Sequence, residues 1–258
     1  MSLFSGAACN VKIPYSITAA CDFNQADSDH MTNTPASNGN QRTFTVSVWI
    51  KLDSDNDSRS IFHSNTWPSE PWFLIGISDA NDGLIVRSYT GSVSPADHQK
   101  RTNTAVTEGS WQHIVVAVDT TDTTDADKVK IYFNGTKQTS FATDYGWTVD
   151  DYDTGVNQTA HEQQIGEEPA LGRYFNGEMA EFYMIDGQQL TPAEFAEDVG
   201  GTWTAIKYEG TFGTAGFHLD FADSSDLGND VSGNGEHFAE VNIVSGNQIT
   251  SNLPPFKS

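Results

Sequence analysis

The sequence has 258 residues, of which 37% are hydrophobic, 11% aromatic and 19% charged. This composition excludes a largely disordered chain, because disordered chains are poor in aromatic residues and rich in charge. Thirteen Lys and Arg against 35 Asp and Glu give a net charge of −22, which repels nucleic acid and anionic membranes. No apolar run approaches the ~18 residues of a membrane span, and the first residues lack a signal-peptide pattern. We therefore expect neither nucleic-acid binding nor membrane insertion.

Alternation of apolar and polar residues predicts a series of short strands. In the first of them, one face carries Phe44, Val46, Val48, Ile50 and Leu52. A hairpin is predicted over residues 72–77 and 84–89, joined by the turn residues 79–83. Residues 111–118 predict a central strand, and 128–133 lead through the hairpin signal Asn134-Gly135 into a return strand over 136–141. Further strands are predicted over 177–185 and 217–221.

One short helix is predicted after the strand over 177–185. Thr191 is a candidate N-cap, Pro192 suits the first helical position, and Glu194 stands three residues after the cap. This arrangement is typical of a capping box, so we expect a helix that runs to about Asp198.

Many turn-bounded strands with almost no helix predict an all-β, two-sheet antiparallel jelly-roll sandwich. Trp49, Trp111 and Phe182 lie in strong strand signals, and we expect them to pack in one core between the sheets. Cys9 and Cys21 are too few for a disulfide scaffold and lack the spacing of a zinc site. A structural bridge between them and free buried thiols remain alternatives.

Three blocks, taken together and in this order, resemble the concanavalin-A-like, laminin-G-like sandwich family. They are RTFTVSVWIK at 42–51, WQHIVVAVD at 111–119 continued by VKIYFNG at 129–135, and FNGEMAEFYMID at 175–186 followed by LTPAE at 190–194. The resemblance implies a jelly-roll sandwich with a laminin-G-like body over residues 21–245. We expect residues 1–20 to form an N-terminal segment that serves in assembly, and residues 246–258 to form an extended C-terminal tail.

A narrower resemblance concerns the segment YEGTFGTAGFHLDFADSSDLGNDVSGNG at 208–235. It looks like a segment that recurs in virion proteins of bacteriophages, marine ones in particular. TPASNGNQRTF at 34–44 and AHEQQIG at 160–166 are similar to the same group, so the likeness spans about residues 20–240. It implies a sandwich that is carried on a virus particle.

Catalysis is not expected from the acidic residues. Jelly-roll glucanases place carboxylates at alternate positions of one strand, roughly 5 Å apart across a sugar bond, and that pattern is absent here. Glu178 and Glu181 are three positions apart on a predicted strand, so we expect their side chains to point to opposite faces. We therefore predict that the protein is not an enzyme and has no catalytic residue.

Calcium is the one cofactor that the sequence brings into question. Asp53, Asp55 and Asp57 begin like a calcium loop, but Ser58 and Ser64 stand where that loop requires Gly and Glu. A second acidic loop contains Asp119, Asp122, Asp125 and Asp127. Solvated aspartates that cap turns account for this loop as well as calcium does. We predict no metal site and no required cofactor.

Trp67 and Trp72 flank two prolines in a predicted loop and are the candidate carbohydrate-binding residues. Aromatic rings in loops are a common platform for sugars. The alternative is that Trp72 begins a core strand and Trp67 fastens the loop onto the sandwich or onto a neighbouring subunit.

We predict a non-enzymatic virion surface protein, either a capsid decoration protein or a compact fibre or knob subunit, assembled in the host cytoplasm. The partners expected are copies of itself in a symmetric homo-oligomer such as a trimer, and other virion proteins. A tail or fibre adhesin that binds a host surface glycan is the alternative function, and a polysaccharide-degrading enzyme is the third. The fold is compatible with all three.

Overall fold

The computed structural model describes residues 15–53, 59–65, 69–91 and 96–256. These residues form no α-helix, and four single turns of 3-10 helix occur at Gln25–Asp27, Asp125–Asp127, Pro192–Glu194 and Ser245–Asn247. In chain order the strands are β1 (Ala20–Phe23), β2 (His30–Asn33), β3 (Thr43–Leu52), β4 (Arg59–Ser64), β5 (Trp72–Ile77), β6 (Gly83–Tyr89), β7 (Asp97–Ala105), β8 (Gln112–Asp119), β9 (Val129–Phe133), β10 (Thr136–Lys137), β11 (Phe141–Tyr145), β12 (Gln163–Ile165), β13 (Glu167–Glu168), β14 (Arg173–Tyr174), β15 (Gly177–Asp186), β16 (Ala196–Val199), β17 (Thr202–Ala205), β18 (Phe217–Leu219), β19 (Ala239–Val241) and β20 (Gln248–Ile249).

Two antiparallel eight-stranded sheets make up the body. The first has the order β10-β9-β8-β3-β15-β1-β20, with β18 also paired to β15, and the second has the order β11-β7-β6-β5-β4-β12-β2-β19. The predicted two-sheet antiparallel sandwich is therefore confirmed. The hairpin over β5 and β6 and the hairpin through Asn134-Gly135 are also present. The return strand of the second hairpin is shorter than expected, since β10 ends at Lys137 and Phe141 begins β11 of the other sheet.

The core between the sheets follows the predicted alternation. The five alternating apolar residues of β3, which are Phe44, Val46, Val48, Ile50 and Leu52, are at most 2% exposed and face this core. Phe62, Phe73, Met179 and Phe182 face it as well. Cys21 is buried in the same core, and burial raises the pKa of its thiol. Cys21 is a free thiol, and Cys9 lies outside the described residues.

The prediction of a short helix from Thr191 to about Asp198 is wrong. Only Pro192–Glu194 makes one 3-10 turn, and the Thr191 side chain makes no capping hydrogen bond. The chain then becomes extended, because Ala196–Val199 pairs with Thr202–Ala205 across Gly200 and Gly201, which both have positive φ. Burial of Phe195 against the first sheet holds the chain in this extended path. Tertiary contacts therefore override the local helix signal.

The outer face of the first sheet is covered rather than exposed to solvent. The hairpin of β16 and β17 and both ends of the described chain pack on it, so that Ile17, Ala205 and Phe256 contact the cluster around Trp49. Trp49 points to this side and not between the sheets, and Trp111 is half-buried beside it. The prediction that Trp49, Trp111 and Phe182 form one core is therefore wrong. Of these three residues, Phe182 alone faces the inter-sheet core.

A buried histidine sits at the centre of the outer cluster. His113 stacks on Trp49 with ring centroids 5.0 Å apart and lies 2.8 Å from the Ser47 hydroxyl through Nε2. The Trp203 indole N–H donates to its Nδ1 at 3.0 Å, so Nδ1 is an acceptor and the ring is neutral. Burial lowers the pKa of His113 to about 3. These contacts make His113 a structural residue.

Candidate functional site

The outer face of the second sheet carries a group of polar and aromatic side chains on β6, β7 and β11. We call it the β6–β7 face and define it by Arg87, Tyr89, Asp97, Gln99 and Tyr145. Arg87 lies directly opposite Gln99, Gln99 opposite Tyr145, and Tyr89 opposite Asp97. Residues directly opposite each other in a sheet share a face, so these five side chains lie together.

An ion pair forms the centre of the β6–β7 face. The Arg87 guanidinium donates to Asp97 through Nε at 2.8 Å and through Nη2 at 2.7 Å, which is a bidentate geometry. The Tyr145 hydroxyl donates to the same carboxylate at 3.1 Å. Burial alone would raise the pKa of Asp97, but the hydrogen bonds and charge of Arg87 outweigh burial and lower it. The pair is thus a fixed, partly exposed array of donors and acceptors.

Trp72 adjoins this face at the start of β5. Its ring stacks on Tyr89 at 5.7 Å and on His63 at 6.1 Å, and the Arg87 guanidinium lies 5.2 Å from its centroid. The residue is only 7% exposed, so its ring faces are largely occupied by protein. Its indole N–H is buried without a hydrogen-bond partner. Trp67 lies outside the described residues, and sugar binding by these two tryptophans stays a prediction.

Sequence reasoning missed Arg87, Asp97 and Tyr145. The strand β7 was not predicted because its inward residues, His98 and Lys100, are polar, which removes the apolar alternation that marks a strand. A usable signal was the alternation of β6, which already places Arg87 and Tyr89 on the side away from the core.

The carboxylates of β15 are not arranged as expected. A β-bulge interrupts the pairing of β15 with β3 between Ala180 and Tyr183, and Glu181 there has a φ of 51°. The extra residue reverses the alternation, so Glu181 lies with Tyr183 on the same outer face as Glu178. The expectation of opposite faces is therefore wrong.

Glu178 and Glu181 nevertheless do not form a pair that could act on one bond. Glu178 accepts a hydrogen bond from the Lys51 ammonium. Glu181 Oε2 accepts hydrogen bonds from the Tyr183 hydroxyl at 2.7 Å and from the Tyr15 hydroxyl, and lies 2.8 Å from His218 Nε2. The two carboxylates therefore form hydrogen bonds with different partners. Glu181 is also only 3% exposed.

The two acidic loops considered for calcium have different outcomes. Residues 54–58 lie outside the described part of the chain. In the second loop, Asp122 caps the Thr124 N–H at 2.7 Å, Asp125 lies 2.6 Å from the Lys128 ammonium, and Asp127 lies 3.3 Å from that of Lys137. Within the described ranges, no three His, Cys, Asp or Glu side chains come together in a way that could hold a metal ion. The contacts of this loop are those of turn-capping and ion-paired aspartates.

A family model described as the concanavalin A-like lectin/glucanases superfamily matches residues 25–196. The chain belongs to this superfamily. The expected laminin-G-like, jelly-roll character is thereby confirmed. No curated protein matches the chain. Within the described residues, no helix is long and apolar enough to cross a membrane.

Several solved structures are similar to the chain at low sequence identity. A heptameric SAP-like pentraxin from Limulus polyphemus is 15% identical with a TM-score of 0.49, covering 69% of this chain and 80% of the pentraxin. Domains LG4-5 of mouse laminin α1 are 11% identical with a TM-score of 0.46, and the match covers 80% of this chain and 52% of the laminin chain. Tailspike protein 2 of an Escherichia coli O157:H7 bacteriophage is 11% identical with a TM-score of 0.47, and the match covers 72% of this chain and 25% of the tailspike. The chain thus spans about half of the laminin pair and a quarter of the tailspike.

Proposed function

We propose that this lectin-like domain is a non-enzymatic surface protein of a bacteriophage virion, either a capsid decoration protein or a compact fibre or knob subunit. The supporting observation is the phage-like segment 208–235, which is integral to the sandwich. It supplies β18, which pairs with β15 of the first sheet. The Asp230 carboxylate holds the rest of the segment, since it accepts hydrogen bonds from the backbone N–H groups of His218, Ser232, Gly235 and Glu236.

Assembly into a symmetric homo-oligomer such as a trimer is part of this proposal, because surface sites on particles are symmetric. Tyr15 and Ile17 pack on the chain's own first sheet, as do Leu253 and Phe256 near the other end. The N-terminal assembly contact that we propose therefore concerns residues 1–14. The acidic body repels a second acidic body, whereas these residues carry one Lys and no acidic group.

A density map of the purified virion that contains this protein should show the sandwich on the particle surface in symmetric groups. Immunogold labelling of intact particles with antibodies against the sandwich should decorate the same sites. Restriction of the protein to infected-cell lysate, with none in the particles, would contradict the virion role. Release of reducing ends from host polysaccharide, abolished by Glu181→Gln, would contradict the absence of enzymatic activity.

A carbohydrate-binding adhesin is the second candidate function, and the β6–β7 face favours it. Saccharides bind where a half-exposed aromatic ring lies beside fixed polar groups, as Tyr89 lies beside the Arg87 and Asp97 pair. The two charged side chains are 37% and 29% exposed, so a sugar hydroxyl can reach them.

If the face binds a host surface glycan, Tyr89→Ala is expected to weaken binding about tenfold or more, which corresponds to about 1.4 kcal/mol. Binding of the purified protein to host capsular polysaccharide or lipopolysaccharide is measured by isothermal titration calorimetry. Leu171→Ala, an exposed apolar residue outside the face, is the matched control and should bind as the parent does. Equal affinity of Tyr89→Ala and the parent for the polysaccharide would show that the glycan does not bind at this face.

A further inference from the structure

Four polar side chains lie together on the inner side of β6 and β7, directly beneath the β6–β7 face. They are Ser88, His98, Trp147 and Tyr152, and each is at most 4% exposed. Ser88 lies opposite His98 in the pairing of β6 with β7. The His98 ring stacks on Tyr152 at 4.4 Å and lies 5.6 Å from Trp147. We call this group the His98 cluster.

Each member of the His98 cluster has one polar atom without a hydrogen-bond partner in the protein. These atoms are Ser88 Oγ, His98 Nε2, Trp147 Nε1 and Tyr152 Oη. The Tyr152 hydroxyl is directed toward Ser88 without a good hydrogen-bond geometry between them. A buried polar group left unsatisfied is strongly unfavourable, and four in contact with one another are rare in native proteins.

The chemistry of the four atoms is defined by the other contacts of His98. Its Nδ1 donates to the Gly146 carbonyl, so the proton sits on Nδ1 and Nε2 presents a lone pair. Burial lowers the pKa of His98, which keeps the ring neutral. The Trp147 indole can only donate, and the two hydroxyls can donate or accept. The cluster therefore offers one fixed acceptor, one fixed donor and two groups that adapt.

We propose that the His98 cluster binds an internal water molecule. A water donates two hydrogen bonds and accepts two, which matches a lone pair on His98, an N–H on Trp147 and two adaptable hydroxyls. No charged group belongs to the cluster, so an ion has no counter-charge there. The water satisfies all four atoms at once and joins the segment 146–152 to β6 and β7.

This water supports the β6–β7 face from below. His98 follows Asp97 in the chain, and Tyr145 precedes Gly146, the residue to which His98 donates. Gly146 has a φ of 86°, and a Cβ there would lie 2.2 Å from the Asp97 carbonyl oxygen, so the segment approaches β7 closely. The bridged segment thus fixes the position of Tyr145 relative to Asp97, whatever ligand the face binds.

Oxygen-17 magnetic relaxation dispersion of the full chain in solution counts water molecules that reside inside a protein. We expect Tyr152→Phe, which removes only the hydroxyl, to lose at least one such water and to lower the melting temperature by a few degrees. The matched control is Tyr208→Phe, whose hydroxyl donates directly to the Thr211 carbonyl at 3.0 Å and binds no water of this cluster. The Tyr208→Phe variant should hold the same number of internal water molecules as the parent protein.

Ser88→Ala gives a second measurement with a smaller change in packing, so the test does not depend on how well one variant folds. Loss of a water in either variant, with the count of Tyr208→Phe unchanged, supports the proposal. An unchanged count in both Tyr152→Phe and Ser88→Ala overturns it. A crystal structure should place the water within 2.6–3.2 Å of the four atoms.

Discussion

Trp49→Ala is expected to lower the free energy of unfolding by ~3–5 kcal/mol, the range for removing a large buried aromatic side chain. Trp49 is 3% exposed and packs between the first sheet and the segments that cover its outer face. Its removal leaves a cavity beneath Ile17 and Ala205 and exposes one face of His113. Equilibrium urea denaturation followed by circular dichroism measures the change.

Trp111→Ala is the matched comparison, because it removes the same side chain from the edge of the same cluster. Trp111 is half-buried, and its indole N–H donates to the Asn252 carbonyl at 2.5 Å. Its replacement should therefore cost less than that of Trp49. A larger loss for Trp111→Ala than for Trp49→Ala would show that the cluster on the outer face is packed differently.

Acid is expected to destabilise the fold below about pH 6.5 because two histidines are buried in neutral form. Burial lowers the pKa of His113 to about 3 and that of His63 to about 4, although a hydrogen bond to Gln164 partly opposes the second shift. In the unfolded chain both rings take up a proton near pH 6.5. Between pH 6.5 and the lower values the unfolded state binds more protons, so stability falls as the pH falls. Each histidine contributes up to about 1.4 kcal/mol per pH unit.

Urea denaturation at pH 7, 6 and 5 measures this dependence. His113→Asn and His63→Gln should each flatten the slope of stability against pH between 6.5 and 5, even if they lower stability at every pH. The exposed His237→Asn controls for the loss of an imidazole at the surface. A slope that persists unchanged in the double variant His63→Gln, His113→Asn would contradict the neutral burial of both rings.

Local patterns predicted those parts of the fold in which each residue's side is set by alternation. Strand β3 pairs with β8 without interruption from Thr43 to Ile50, so its alternate residues face the core as predicted, namely Phe44, Val46, Val48, Ile50 and Leu52. In β15 one additional residue at Glu181 reverses the alternation, and the sequence around it carries no Gly that marks a bulge. The predicted opposite faces of Glu178 and Glu181 were therefore wrong, because the additional residue lies between them in the alternation.

The candidate site depends on contacts between strands that are distant in the chain. Arg87, Asp97 and Tyr145 come together only because β11 pairs with β7 after an excursion through the other sheet. Trp72 could be selected from the sequence as an aromatic residue near prolines. Its burial between His63 and Tyr89 depends on the neighbouring strands β4 and β6.

The sequence by itself determined the all-β class and the positions of the main strands, because these follow from a two-residue period and from short turn signals along the chain. The superfamily was indicated by the resemblance of three sequence blocks to that family. Only the tertiary structure decided that residues 196–199 are a strand, that Trp49 packs outside the sandwich, and that the β6–β7 face and the His98 cluster exist. Those features depend on which surfaces meet when the sheets and their covering segments pack, and burial there outweighs local preference.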